Sequence, residues 1–371
     1  MTDRSAAIGQ HMTRVALVGA NGFGLSHRRK LAAIEEAELV ALCDTAPVEA
    51  PEAKLYTDHR EMLRDTAPDV VIVATPPYTH APIALDAIEA GCDVYVEKPP
   101  VVSLAEHDQL MAALSATGRV AQVGFQALGS HAFQRLRAAL AAGAIGEVTA
   151  VSCYGAWQRE DSYWNRSPWA GKRAVGGRPS VDGALSNPFA HALMQCLATL
   201  PPSPVDSVEV ERYKVRDDLE VDETGCVRVR LHSGQTIVVA VTLNAEEHAD
   251  PEIIVHGTAG LARLAYTRDH LAIPGFEGTV DGRDDLLRNL IAYRRGAELI
   301  APLARTAPFT QIVEHIQAAA PRAIHPSRIA WLGDGPSRRA VVLAVDAVVR
   351  AAARSLSLMS EVDDPTLPGG D

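Results

Sequence analysis

The chain of 371 residues has little lysine. Of its 35 basic residues only Lys30, Lys54, Lys98, Lys172 and Lys214 are lysines. Arginine stays charged in proteins, so a lysine kept in a special setting gains weight as a proton-exchanging group. Cysteine is scarce as well: Cys43, Cys92, Cys153, Cys196 and Cys226 are scattered and never form a C-x-x-C pair. That excludes a disulfide framework or a structural zinc site and favours a reducing, cytoplasmic setting, with each thiol read as a small buried hydrophobe. Long apolar runs are missing, so no segment reaches the roughly 20 residues needed to cross a bilayer. Met1 to Met12 lacks the apolar centre of a secretory signal. There is no basic excess either. The net charge is -11, which argues against a dedicated nucleic-acid or anionic-membrane binder. The 13 histidines form no H-x-x-x-H or H-E-x-x-H pair, so no metal is expected. No G-x-S-x-G elbow is present for serine catalysis.

What remains is a chain that builds cores. A hydrophobic fraction of 47% and this length suit two domains. The first third alternates strands and helices. Arg14 to Val18 reads as a strand, followed by Gly19-Ala20-Asn21-Gly22-Phe23-Gly24 and a helix from Ser26 to Glu36. Leu39 to Cys43, Asp69 to Thr75, Asp93 to Glu97 and Val120 to Phe125 read as further strands. A helix capped by Thr79 runs to Ala90, and another starts at the Ser103–Glu106 capping box. Such alternation predicts an α/β domain with a doubly wound parallel sheet, a Rossmann domain, over 12–126. Residues 1–11 read as a flexible lead-in.

A glycine-rich turn between strand and helix lets backbone N–H groups and the helix N-terminus cradle a pyrophosphate. Gly19 serves the tight turn and Gly24 the close helix–strand packing, while Asn21 and Gly22 stand where the fingerprint has its middle glycine. Asn21 tolerates left-handed backbone better than most residues, and Phe23 completes the loop. Asp44, 20 residues past Gly24, can bind the ribose hydroxyls of NAD and would repel the extra phosphate of NADP. NAD is therefore the expected cofactor.

The run Ala74-Thr75-Pro76-Pro77-Tyr78-Thr79-His80, the run Ala87 to Val94 and then Glu97-Lys98-Pro99 resemble the Gfo/Idh/MocA oxidoreductases. The resemblance is close across the N-terminal third and looser to Gly257-Thr258-Ala259-Gly260. It implies a sugar or polyol dehydrogenase with Lys98 as acid/base and a cis bond before Pro99. At a strand end facing the cofactor, burial and a positive nicotinamide ring would disfavour the ammonium of Lys98. Thr75, Pro76, Pro77, His80, Glu97, Lys98 and Gln126 join the glycine loop and Asp44 as expected cofactor contacts.

Residues 127–357 read as an α+β domain for substrate binding and oligomerisation. Its open sheet is mostly antiparallel, its faces fitting one side on helices and one on a partner subunit, and the resemblance implies a homodimer or homotetramer. Strands are expected at Glu147 to Trp157, Val208 to Tyr213, Cys226 to His232, Thr236 to Asn244, Glu252 to Val255 and Leu261 to Tyr266, with a turn at Ser233-Gly234. Helices are expected near Ala127 to Ala142, Arg283 to Tyr293, Thr310 to Ala319 and Arg338 to Ser355, before a tail at 358–371.

Two segments here can carry chemistry. Relatives in the resembled family carry D-x-x-x-H at a helix start, and this chain offers Asn187-x-x-x-His191. The i, i+4 spacing puts both on one helix face, Pro188 suits the first helical position and Asn187 suits the N-cap. His191 is read as proton relay or hydroxyl ligand, with a satisfied core histidine as the plainer reading. Asp182 is either a turn residue or a folded-back substitute carboxylate. An amide can hold a hydroxyl but cannot titrate. The second segment, Trp157 to Arg173, holds three of the four tryptophans. Tyr163, Trp164, Arg166, Trp169 and Lys172 suggest a pocket for a glycoside or sugar acid, or else a packed loop. The functional expectation is NAD-dependent transfer of hydride to or from a secondary hydroxyl carbon of a carbohydrate. Two rivals are a glycoside-cleaving enzyme with transient oxidation and a non-catalytic NAD or sugar sensor.

Overall fold

Val70-Val71-Ile72-Val73 is wholly apolar and wholly buried, as a strand covered on both faces must be. It is one of six strands of a parallel sheet in the computed structural model, which describes residues 12–362. The expected lead-in at 1–11 and the last nine residues of the expected tail lie outside the described residues. The six strands are β1 (Thr13–Val18), β2 (Ala37–Cys43), β3 (Lys54–Tyr56), β4 (Val70–Val73), β5 (Asp93–Val96) and β6 (Ala121–Val123). Helices α1 (Gly24–Leu31), α2 (His59–Thr66), α3 (His80–Glu89) and α4 (Leu104–Thr117) connect them. The sheet order β3-β2-β1-β4-β5-β6 is parallel throughout, which is the expected doubly wound sheet. Asp58 caps α2 by accepting from the amides of Arg60 and Glu61 at 2.8 and 3.0 Å. Thr79 does not cap α3. Its hydroxyl donates to the Pro76 carbonyl, and a 3-10 turn over Pro77–Thr79 precedes the helix.

The chain then forms α5 (His131–Ala141), β7 (Val148–Gln158), α6 (Asp161–Trp164), β8 (Ala174–Val175), β9 (Arg178–Pro179) and α7 (Ala190–Thr199). Next come β10 (Val205–Lys214), β11 (Thr224–Leu231), β12 (Thr236–Thr242), β13 (Asn244–Gly257), β14 (Gly260–Ala265), β15 (His270–Ile273) and β16 (Phe276–Thr279). The last elements are α8 (Leu286–Tyr293), α9 (Ala307–Ala318), β17 (Arg322–Ala323), β18 (Ile329–Leu332), β19 (Arg339–Val342) and α10 (Val345–Ser355). A nine-stranded mixed sheet runs β16-β15-β14-β13-β7-β12-β11-β10-β17. Only the β7–β12 and β10–β17 pairs are parallel. Gly234, at φ +91°, makes the β11–β12 turn where Ser233-Gly234 was expected.

Two departures from the sequence reading concern this sheet. Arg338 to Ser355 is not one helix: β19 pairs with β18, Ala344 turns left-handed at φ 62°, and α10 starts at Val345. The face left to a partner subunit is covered over its central strands by α10. Val345, Val348, Val349 and Ala352 pack against Tyr213, Cys226, Val238 and Ala240. The alternate residues of the sheet point the other way, so that a Cβ on Gly155 would collide with the Phe189 ring ahead of α7. Met359 is buried in the α10 core, so the packed chain continues past the expected tail start at 358.

Contacts divide the described chain into two units. The first comprises 12–101, Ala105–Gly124 and Asp285–Ala304, and the second comprises Val102–Leu104, Phe125–Asp284 and 305–362. The return of Asp285–Ala304 to the first unit differs from the sequence division, which counted it with the second. Side chains explain it. Gln122 on β6 donates to Asn289 at 2.6 Å and accepts from the Ala301 amide at 2.9 Å. Arg294 at the end of α8 reaches Asp93 at 2.7 Å and Asp69 at 2.9 Å.

Candidate active site

In the first unit the loop after β1 has the shape of a phosphate cradle. Gly19 is left-handed at φ +88°, and a Cβ there would stand 2.5 Å from the Ala74 carbonyl oxygen. A Cβ on Gly24, the first residue of α1, would overlap the Gly19 carbonyl. Both positions therefore exclude a side chain. Gly22 takes the second left-handed turn at φ +53° with open space around it. Asn21, expected to tolerate that conformation, is not needed for it. Its amide instead donates to Asp44 at 3.2 Å.

Asp44 follows β2 and is half-buried. Its Oδ2 accepts from the amides of Ala20 and Asn21 at 2.9 and 3.1 Å, and Oδ1 accepts from the Ala46 amide at 2.9 Å. The carboxylate thus shapes the loop, and Oδ1 keeps lone-pair capacity for a ribose hydroxyl. Phe23 is exposed and leans edge-on against His27, with ring centroids 5.5 Å apart. The cradle fits a dinucleotide: small residues where the backbone must approach, a helix N-terminus behind them, and an oriented carboxylate at the next strand end.

The Glu97-Lys98-Pro99 run lies past the end of β5, at the same carboxyl edge of the sheet. Lys98 is half-buried and its peptide to Pro99 is cis, as the resemblance implied. Glu97 is only 7% exposed, so it is not a surface acid. Its Oε1 meets His27 Nε2 at 2.9 Å, and a Cβ on Gly124 would stand 2.6 Å from its Oε2. Glu97 is thus engaged by groups inside the protein. His80 is engaged in the same way. Its Nδ1 lies 2.8 Å from the Pro99 oxygen and its Nε2 2.7 Å from the Thr75 oxygen. Burial holds its pKa below the usual histidine value. Two buried histidines, on α1 and at the start of α3, therefore hold the residues on either side of Lys98. His27 escaped the sequence reading because its partner is 70 residues away and its helix looks polar. Pro76, Pro77 and Thr75 line the turn ahead of α3. Gln126 opens a 3-10 turn of the second unit.

In the second unit Asp182 is fully buried. It accepts from Arg166 Nη2 at 3.0 and 3.1 Å, from the Gly171 amide at 2.8 Å and from the Asn187 amide at 2.9 Å. It does fold back toward Asn187, but as a neutralised structural carboxylate. α7 begins at Ala190 rather than Pro188. His191, on its first turn, is half-buried and edge-on to Phe125 at 6.0 Å.

Trp157 to Trp169 forms a ladder of rings and guanidiniums. Arg159 lies 4.9 Å from the Trp157 ring and 5.2 Å from the Tyr163 ring. Arg166 lies 4.0 Å from the Tyr163 ring and 4.8 Å from the Trp169 ring. Trp157 stacks on Phe189 at 4.3 Å. Trp164 is 6% exposed, so most of its surface packs inside the loop. Lys172 is turned to the Asp218 carbonyl and Glu220. Buried ion pairs mount the ladder: Arg216 joins Asp161 of α6 to Glu223, and Arg212 joins Asp222.

All five cysteines are buried, and burial raises the Cys43 and Cys92 thiols to about 11. Among the described residues no helix is long and apolar enough to cross a membrane.

Comparison with known proteins gives a consistent picture. A family model described as "Oxidoreductase family, NAD-binding Rossmann fold" matches residues 13–125, and one described as "GFO/IDH/MocA C-terminal domain" matches residues 133–263. The chain is 26% identical over 286 residues to inositol 2-dehydrogenase of Burkholderia multivorans, covering 73% of this chain and 80% of that protein. It is 31% identical over 146 residues to the NAD(+) scyllo-inositol 2-dehydrogenase of Bacillus subtilis, covering 37% of this chain and 43% of that protein. The WlbA dehydrogenase of Chromobacterium violaceum, solved with NADH and UDP-GlcNAcA, shares the fold. The TM-score is 0.72 at 22% identity, over 84% of this chain and 94% of that one.

Proposed function

The chain belongs to the GFO/IDH/MocA family of NAD-binding oxidoreductases, and from that premise we propose that it oxidises, or in reverse forms, a secondary hydroxyl of a sugar or polyol, with Lys98 as the acid/base. The observation that carries this reading is the grip on Lys98. His27 through Glu97 and His80 through Pro99 fix the backbone on both sides of it, at the edge of the sheet that carries the glycine cradle. A lysine so held is preorganised for proton transfer at one substrate oxygen.

Gly19, Gly22, Gly24 and Asp44 would hold the dinucleotide, whose nicotinamide ring, when bound, supplies the hydride acceptor or donor. The chain's own part is proton handling and orientation. As a free amine, Lys98 Nζ takes the hydroxyl proton as the carbonyl forms; as an ammonium it returns the proton in reduction. Asn187 and His191 serve as hydroxyl ligands. Asp182 is engaged by Arg166 and two amides and serves as a structural anchor. The similarity to inositol dehydrogenases supports a polyol or sugar ring as substrate class.

The test incubates purified protein with NAD and a panel of inositols, sugars, sugar acids and aryl glycosides. NADH formation and aglycone release are read together, with Lys98→Ala as control. NADH that disappears in the control is the expected result. Aglycone release without net NADH would replace the dehydrogenase reading with redox-neutral cleavage.

A further inference from the structure

The guanidinium of Arg159 has neutral company. Nη1 donates to the Gln158 carbonyl at 3.0 Å. Its flanking groups are the rings of Trp157 and Tyr163. No carboxylate lies within ion-pair distance of it among the described residues. The nearest cation in the ladder, Arg166, is neutralised by Asp182 at 3.0 Å. Of the two acids that follow Arg159, Glu160 is exposed and accepts from Ser162, and Asp161 is taken by Arg216. Tyr163 adds no negative charge, since burial raises its phenol.

This is costly. Arg159 is half-buried, and burial opposes its charged form. The chain has an acidic surplus, 46 acidic residues against 35 basic, and pairs none of them with this guanidinium. Ring faces return part of the lost hydration but leave the charge uncompensated. A planar fork held by Tyr163 and the Gln158 carbonyl along part of its edge, and walled by aromatic faces, keeps further donors that can bind an oxyanion bidentately.

We propose that Arg159 is the anion subsite of the substrate region: the substrate bears a carboxylate or phosphate, taken by Arg159 between the Trp157 and Tyr163 rings. A carboxylate on the sugar itself is favoured, because a planar group matches the fork and leaves the ring hydroxyls to Asn187 and His191. The proposal rests on the dehydrogenase reading for the identity of the substrate, but not for the presence of the subsite.

The full-length protein is assayed with NAD and D-glucuronate, D-glucose or D-glucose 6-phosphate. Binding of each is followed separately by tryptophan fluorescence, which needs no turnover. Arg159→Met keeps the stem and removes the charge, and Arg159→Lys restores a cation. The wild type is expected to bind glucuronate at least tenfold more tightly than glucose. Arg159→Met is expected to erase that ratio through KM and Kd, with partial recovery in Arg159→Lys. A stronger preference for glucose 6-phosphate, erased by the same variant, would keep the subsite and assign it to phosphate. Anion binding that depends on Arg159 without any NADH would sink the dehydrogenase reading and keep the subsite. A wild type that prefers glucose, or an unchanged ratio in a folded Arg159→Met, would overturn the proposal.

Discussion

His80 holds the carbonyl oxygen of Pro99 at 2.8 Å from one ring nitrogen and that of Thr75 at 2.7 Å from the other. The neutral ring donates to one of these carbonyls and lies against the other, which keeps the residue after Lys98 beside the turn after β4. With Lys98 as the proposed acid/base, His80 would act through it as a positioning residue. In His80→Ala the lysine loses one of its two anchors, and a misplacement of about 1 Å costs about a hundredfold in rate. A fall in kcat of about tenfold or more is expected, with a smaller change in the KM for NAD and a displaced Lys98 limb in the pH–rate profile. Steady-state kinetics across pH check it. Equal losses in a stability-matched surface variant would refute the positioning role.

The same ring sets a pH dependence of stability. Two carbonyl acceptors favour the protonated ring and burial opposes it, and burial is the larger influence. The folded pKa therefore lies below the unfolded value near 6.5. Between those two values the unfolded chain binds the extra proton, so stability is full above about pH 6.5 and is lost as pH falls through the folded pKa. His80→Gln is expected to flatten this part of the acid limb. Melting temperatures at a series of pH values would show it, and an unchanged slope would discard it.

Much of this was readable in the residues. The parallel sheet, the glycine loop and the Glu97-Lys98-Pro99 run are local patterns, and each was found where the sequence put it. What stayed hidden depends on partners far along the chain. Glu97 reads as a strand-end acid until His27, 70 residues away, is seen beside it. Trp164 and Trp169 look alike in sequence, yet only Trp164 is buried. The run Arg339-Ala340-Val341-Val342 has apolar residues enough for either a helix or a strand, and pairing with Ile329–Leu332 decides for the strand. Likewise nothing local says that Val348 and Val349 cover the strands that seemed open to a partner.

Asp44 carries two duties, and its substitution separates them. Its Oδ2 holds the amides of Ala20 and Asn21, while Oδ1 has room for a ribose hydroxyl. Asp44→Ala loses both, whereas Asp44→Asn keeps a carbonyl acceptor for the loop and loses the charge. Each charged hydrogen bond is worth about 1.5–3 kcal/mol, or roughly ten- to a hundredfold in affinity. The KM for NAD is expected to rise by that much in Asp44→Ala and less in Asp44→Asn, with NADP gaining relative to NAD in both. Parallel titrations with the two dinucleotides check it. Unchanged discrimination would mean that Asp44 only shapes the loop.

Asn187 cannot simply be exchanged for the aspartate that the resembled family carries. Its amide donates to Asp182 Oδ1 at 2.9 Å, so Asn187→Asp would set two carboxylates at hydrogen-bond distance beside one guanidinium. Arg166 can neutralise only one of them. The new pair then has one pKa raised, and the variant is destabilised where both groups would ionise. A loss of about 1–3 kcal/mol is expected at neutral pH. The double variant Asp182→Asn with Asn187→Asp exchanges charge and amide. It leaves one carboxylate for Arg166 and is expected to recover most of the loss. Denaturant unfolding of the three variants at pH 7 checks the coupling. If the double variant is no more stable than the sum of the singles, Asp182 and Asn187 are independent, and the charge on Asp182 is not what requires an amide at 187.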